Sequence, residues 1–178
     1  MNWDLQLFSI CRRKGPSYRK GCAHKIFPYL LNENFTASQV NQIWCKDFNY
    51  ISLTNGTIRY NCSITDLYNR SFVTSKNGKW ITTDTAIRTL DKALKSQRKK
   101  PDNLILHSDQ GSQFTSAQFI LYCQEQGTIQ SMSAADYPFA NAPMEWYCNT
   151  FKEALINRFH FQPEEELNQA ISEYSYGW

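Results

Sequence analysis

Residues 103–153, NLILHSDQGSQFTSAQFILYCQEQGTIQSMSAADYPFANAPMEWYCNTFKE, decide the fold of this chain. Its first part, residues 104–106, is a short apolar run typical of a buried strand, and His107, Ser108 and Asp109 follow it directly. An acid at the carboxyl end of a buried strand faces the crevice where open α/β sheets bind ligands. We therefore expect Asp109 at a binding crevice, the alternative being that it only forms a turn.

Two helices are predicted directly after this acidic tip, a further one from Pro163 near the end of the sequence, and one before the tip. Thr115 or Ser116 is expected to cap the first of the two, because both residue types bond well to exposed helix N–H groups. Pro143 marks the start of the second, since proline is tolerated in a first helical turn. The helix before the tip is expected to begin at Thr82 or Thr83.

The helix after Pro143 gathers three polar side chains on one face. At about 100° per residue, Asn149 lies roughly 40° from Glu145, and Lys152 roughly 20° from it on the other side. Asp109 and Glu145 are separated by 35 residues. A strand-tip acid and a helix acid could share divalent metal ions, whereas the alternative makes Glu145 a solvated surface acid.

A third acid, Asp47, lies in the middle of the first predicted strand, residues 42–53, among large apolar side chains. An acid at such a position is costly to bury unless it is paired or binds a metal. The alternative is an edge strand on which Asp47 faces water.

The order of the predicted elements indicates the fold class. Asn55-Gly56 predicts a hairpin turn, and Asp66 is interpreted as a residue of the next turn or a partner for Arg70. Three antiparallel strands followed by helices alternating with two further strands predict an α/β, ribonuclease-H-like fold: a mixed five-stranded sheet with helices on both faces. The predicted strands are 42–53, 58–65, one beginning at 72–75, 104–106 and 128–132.

Several segments together resemble one known family. HSDQGSQFTS, TIQSMS, YPFANAPME and NTFKEALI, with W-x-x-D-F-x-Y-I around Asp47, resemble the catalytic core of insertion-sequence transposases. The resemblance is to the second-frame product of the insertion-sequence-three group, whose core is similar to retroviral integrase, and it runs from about Arg13 to Trp178. It implies a catalytic and metal-binding set of two aspartates and a glutamate, Asp47, Asp109 and Glu145.

The resemblance also implies a chemistry: phosphodiester hydrolysis at element ends, then strand transfer by the freed 3′-hydroxyl. Two Mg²⁺ or Mn²⁺ ions are the expected cofactors, because hard cations take carboxylate, water and phosphate oxygens. Lys152 is expected to hold a DNA phosphate, and Asn149 to support Glu145 or contact DNA. His107 and Ser108 border the expected site. The expected partners are DNA and, when bound to it, further copies of this chain.

The first forty residues are interpreted as a basic arm and a remnant of an upstream DNA-binding region, and residues 41–178 as an integrase-like core truncated at its C-terminal end. The arm has glycine and proline but no acid, which favours extended chain over helix. It either contacts DNA phosphates or is a solvated linker, and residues 27–34 are expected to form a short helix. The basic side chains are Arg12, Arg13, Lys14, Arg19, Lys20, His24 and Lys25.

Composition excludes other classes. The chain of 178 residues is 42% hydrophobic, with a net charge of +3 and no apolar run of membrane-spanning length. Its six cysteines have no metal-type spacing and are expected to be reduced and packed. We expect a cytoplasmic, nucleoid-associated protein and no membrane partner.

Two residues depart from the family pattern beside Glu145. Ala140 stands where an acid is common, and Trp146 where a basic or small polar residue is usual. The alternative function is therefore a truncated, poorly active transposase remnant that binds DNA or a full-length partner.

Overall fold

A five-stranded sheet forms the centre of the molecule. The computed structural model describes residues 25–134, 141–156, 158–159, 161 and 164–176. Strands follow the order β3-β2-β1-β4-β5, with β1–β2 and β2–β3 antiparallel and β1–β4 and β4–β5 parallel. This confirms the predicted mixed sheet with three antiparallel strands first. The strands are β1 Ile43–Ser52, β2 Ile58–Asp66, β3 Phe72–Gly78, β4 Ile105–Ser108 and β5 Ile129–Met132.

The hairpin between β1 and β2 has the predicted turn. Gly56 adopts φ 79°, a conformation that costs glycine least. The N–H of Thr57 donates to the Asn55 side chain over 3.0 Å, and the N–H of Leu53 donates to the Thr57 carbonyl over 2.9 Å. The turn thereby fixes the pairing register of β1, the strand that carries Asp47.

Helices cover both faces of the sheet, as predicted. Adjacent residues of β1 divide between two buried layers, because strand side chains alternate: Trp44 packs with α1 and α2, and Cys45 packs with α3 and α4. Thr82 caps α1 and Ser116 caps α2, each accepting a backbone N–H bond, and Pro143 lies in the first turn of α3. The helices are α1 Thr83–Ser96, α2 Ala117–Glu125, α3 Ala142–Phe151 and α4 Glu164–Tyr176.

The helix that begins at Ala142 changes type at Lys152. Residues Lys152–Ile156 form a π-helical turn rather than further α-helix. The wider turn keeps both Phe151 and Leu155 in the buried layer on the α3 face of the sheet. Among the described residues, no helix combines the length and apolar character needed to cross a membrane.

The helix predicted at residues 27–34 is wrong. These residues are extended and end in a turn at residues 31–33, since the residue before Pro28 is biased away from helix. The carbonyl of Pro28 accepts the N–H of Met132 over 3.3 Å, and the N–H of Leu30 donates to Ser131 Oγ over 3.0 Å. This segment therefore covers the outer edge of β5.

Candidate active site

The pairing of β1 with β4 sets two acids side by side. The strands run parallel with Cys45 opposite His107. The same register, continued two residues further, places Asp47 opposite Asp109, just past the carboxyl end of β4. Because strand side chains alternate, Asp47 faces the same way as Cys45, towards the layer of α3.

The half-buried carboxyl of Asp47 is held in an environment that disfavours its charge. Its Oδ1 accepts the N–H of Phe48 over 2.7 Å. Burial raises the pKa of Asp47 to about 7, and the negative charges of Asp109 and Glu145 add to the rise. The Phe48 bond and the Lys152 ammonium oppose it. The pKa of Asp47 therefore depends on charges from two neighbouring parts of the fold, the tip after β4 and helix α3.

Asp109 forms a turn, one of the two roles considered for it. Its Oδ1 accepts the N–H of Gly111 over 3.0 Å, so the carboxylate does form a turn. Burial raises its pKa while that bond lowers it. The negative charge of Asp109 in turn contributes to the raised pKa of Asp47. Gln110, which donates to the Ser133 carbonyl over 2.9 Å, fixes the tip on β5.

Glu145 lies in the first turn of α3 and is exposed. Tyr147 and Phe151 of the same helix are buried against the sheet and so hold α3 beside β1. Asn149 is exposed one turn further along. The charge of Glu145 raises the pKa of Asp47. Among the described residues, however, no three His, Cys, Asp or Glu side chains lie close enough together to hold a metal ion.

Lys152 does not pair with a helix neighbour by a salt bridge within the described part of the chain. Its Nζ instead lies 4.5 Å from the centre of the Tyr50 ring, a cation–π contact between the π-helical turn and β1. Its charge also lowers the pKa of Asp47. Sequence reasoning did not predict this contact of Tyr50, because Lys152 is about a hundred residues away in the chain.

His107 and Ser108, which border the site, have structural contacts. His107 is fully buried, with Nδ1 3.0 Å from Ser131 Oγ and its ring 5.5 Å from that of Tyr29. Ser108 donates its hydroxyl to the Asp109 carbonyl over 3.0 Å. Both help to fix the acidic tip.

Two charged residues of the central strands have roles that the sequence did not reveal. Lys46 is fully buried; its Nζ donates to the Ala86 carbonyl over 2.5 Å and lies 4.5 Å from the Phe119 ring centre. Burial lowers the pKa of Lys46. Asp66 does accept a turn bond from Tyr68, as expected, but it is buried and binds the Trp44 indole rather than pairing with Arg70.

Other candidates are only partly visible. Arg12, Arg13, Lys14, Arg19 and Lys20 lie outside the described residues, as do Ala140 and the cysteines Cys11 and Cys22. Trp146 is half exposed on α3 beside Glu145. The other four cysteines, Cys45, Cys62, Cys123 and Cys148, are buried free thiols, as expected.

The sequence matches the family model "Integrase core domain" over residues 37–138. An uncharacterized 31 kDa protein of insertion element IS600 from Shigella sonnei is 33% identical, over 84% of this chain and 54% of its own length. The transposase of IS904 from Lactococcus lactis is 32% identical over 92% of this chain and 64% of its own. InsF of IS3A from Escherichia coli K12 is 30% identical over 82% and 50%. This chain thus spans about half to two thirds of the length of these relatives, and the predicted resemblance is confirmed.

Solved structures share the fold. The catalytic domain of Mos1 transposase, solved with Raltegravir and Mg, superposes with a TM-score of 0.66 at 16% identity, covering 78% of this chain and 72% of that one. The simian T-cell lymphotropic virus intasome gives 0.64 at 18% identity, covering 90% and 54%. These neighbours have the predicted ribonuclease-H-like fold, and a further Mos1 structure contains Mn.

Proposed function

Because this chain belongs to the integrase core domain family, we propose that it is the catalytic part of a transposase that cuts and joins DNA strands. The observation that carries the proposal is the environment of Asp47, an acid in mid-strand whose pKa is raised first by burial and then by the charges of Asp109 and Glu145. Bound divalent cations would neutralise the charges that oppose ionisation of Asp47.

The donor set suits divalent metal ions. Asp47, Asp109 and Glu145 offer only carboxylate oxygens, the ligands preferred by Mg²⁺ and Mn²⁺. We assign Asp47 and Asp109 to shared ligation and Glu145 to a second ion. When bound, such ions would lower the pKa of an attacking water or hydroxyl and stabilise the leaving oxygen.

The reaction has two balanced steps. In the first, water attacks a phosphorus atom at an element end, the bond from phosphorus to the 3′-oxygen breaks, and a 3′-hydroxyl is left. In the second, that hydroxyl attacks a phosphorus of the target strand, forms a new phosphodiester and releases the target's own 3′-hydroxyl. Each step exchanges one P–O bond for another and needs no oxidant or energy source.

Residues around the acids position the DNA. Lys152 would bind a phosphate near the acids, and Tyr50 would hold the Lys152 ammonium in place through the contact at 4.5 Å. Asn149, exposed between Glu145 and Lys152 on α3, would contact the DNA backbone or support Glu145. These contacts carry no sequence information, so they orient the substrate without selecting it.

The basic arm and the assembly complete the proposal. Arg12, Arg13, Lys14, Arg19 and Lys20 would neutralise phosphates along the duplex. Two element ends must be joined to one target, so we propose that copies of the chain act together on DNA, close to the chromosome in the cytoplasm.

Nicking of supercoiled plasmid in Mg²⁺ or Mn²⁺ tests the proposal. Asp47→Asn, Asp109→Asn and Glu145→Gln should each abolish it, as should EDTA, whereas Asp84→Asn, at an exposed acid paired with Arg88, should leave it intact. Equal nicking by wild type and Asp109→Asn would refute the assigned site. DNA binding without any nicking by the wild type would favour the alternative, a chain that binds DNA but does not cut it.

A further inference from the structure

The two edges of the sheet differ. Residues 28–30 cover the outer edge of β5 through the bonds of Pro28 and Leu30. At the opposite edge, no backbone hydrogen bond from the described part of the chain reaches the outer side of β3. Exposed edge strands present a row of N–H and C=O groups that can pair with a further strand, and proteins usually protect them.

A groove follows this open edge. A cavity of about 660 Å³ is lined by every residue from Phe72 to Asn77, by Lys92 of α1 on one side and by Ile171 and Asn168 of α4 on the other. Residues of two helices therefore flank the strand. Asn77, which contacts Asn168 of α4, marks one wall of the groove, and Lys92 of α1 marks the other.

The backbone of β3 is oriented for pairing. Lys92 Nζ lies 3.4 Å from the Ser75 carbonyl and donates to it, so this carbonyl points out of the sheet. In an antiparallel ladder the N–H and C=O of one residue point the same way, and every second residue repeats the direction. Ser75 and Asn77 thus direct both groups into the groove.

The charge of the groove selects its occupant. Lys76 and Lys92 line it, and neither pairs with a carboxylate within the described ranges, where no acid lines the groove. The chain's own arm is basic and would be repelled. A second copy pairing through the same edge would bring like charges together. Side chains of an added strand alternate, so one set would face the lysines and the other Ile171.

We propose that β3 binds an extended acidic segment of a partner protein, which adds as a sixth strand and alternates acidic with apolar side chains. Main-chain bonds to Ser75 and Asn77 would supply affinity, and Lys76 and Lys92 the preference for acids. This surface lies two strands away from β1, so it is a docking edge separate from the site of strand transfer.

The probe is a fluorescein-labelled octapeptide alternating glutamate with valine, and the control peptide replaces glutamate by lysine. Binding is followed by anisotropy, and the edge is located by amide hydrogen exchange. The double variant Lys76→Glu/Lys92→Glu reverses the charge. Ser75→Pro removes an outward N–H at a position that tolerates proline, since this group does not pair with β2. The matched control is Lys99→Glu, because Lys99 is an exposed lysine just beyond the end of α1 that does not line the groove.

We expect the acidic peptide to slow exchange at Ser75 and Asn77, with at least tenfold weaker binding to the charge-reversed and proline variants and unchanged binding to Lys99→Glu. Should Ser75→Pro fail to fold by circular dichroism, the double variant decides. The proposal is overturned if the lysine peptide binds as well, if no peptide binds at millimolar concentration, or if the double variant binds normally. The proposal would also be overturned if duplex DNA alone slowed amide exchange in β3, or if raising the protein concentration without peptide slowed it.

Discussion

Replacing Asp47 by Asn should stabilise the metal-free protein at high pH. The side chain keeps its shape and can still accept the Phe48 N–H. Burial and neighbouring acids raise the Asp47 pKa from 3.8 to about 7, a difference of about three units. At about 1.4 kcal/mol per unit, charging Asp47 costs the folded state up to about 4 kcal/mol.

The sign follows from proton linkage. Between pH 4 and pH 7 the folded state retains the Asp47 proton while the unfolded state has lost it, so the free energy of unfolding falls as pH rises. The full cost is present above pH 7 and is absent below pH 4. The advantage of the Asn variant should therefore grow from near zero at pH 4 to its maximum at pH 8.

Urea unfolding in EDTA across this range measures the effect, with Asp84→Asn as a matched surface control. Adding Mg²⁺ at pH 8 should then stabilise wild type, by about 2.7 kcal/mol at a hundredfold excess over Kd, and the Asn variant far less. An Asn variant less stable than wild type at pH 8 without metal, or a gain independent of pH, would refute the reasoning.

Three further outcomes are expected. Lys152→Ala should reduce cleavage at saturating DNA at least tenfold while changing DNA affinity little, because one phosphate contact is lost near the acids; normal cleavage would contradict this. Alanine at Arg12, Arg13, Lys14, Arg19 and Lys20 should flatten the dependence of log affinity on log salt by several units, at about 0.9 per phosphate, and an unchanged slope would show a solvated arm. Lys46→Ala should lower the free energy of unfolding by about 2–4 kcal/mol through a buried cavity, whereas Lys46→Met, which fills it, should cost far less in the same urea titration.

Local chemistry made most of the fold predictable. Three features depend only on neighbours a few residues away: the Asn55-Gly56 turn, the helix caps at Thr82 and Ser116, and the buried strand before Asp109. The turn and the strand were found as expected, and each cap was one of two predicted residues. The helix predicted at residues 27–34 failed because the backbone of Pro28 and Leu30 bonds to Met132 and Ser131 of β5, about a hundred residues later in the chain.

The sequence singled out three acids for the candidate site, but not the residues that contact them or their neighbours. The family motif around Asp47 also contains Tyr50, but nothing in the sequence indicated that Tyr50 contacts Lys152. Likewise Lys46 and Asp66 are ordinary charges in the sequence, and their burial depends on Ala86 and Trp44, which only the folded chain brings close. Contacts between distant segments are what single-sequence patterns do not contain.

The anchors of β1 have a mechanical consequence. Lys46 ties the strand to α1 through the Ala86 carbonyl, and Asn49 donates to Cys148 Sγ of α3 over 2.8 Å. Asp47 lies between Lys46 and Asn49 in the strand, so hydrogen bonds to helices on both faces of the sheet hold its backbone in place. The position of Asp47 therefore depends on the packing of the whole core, so a packing defect distant from Asp47 should lower the proposed strand-transfer activity before it lowers the amount of folded protein.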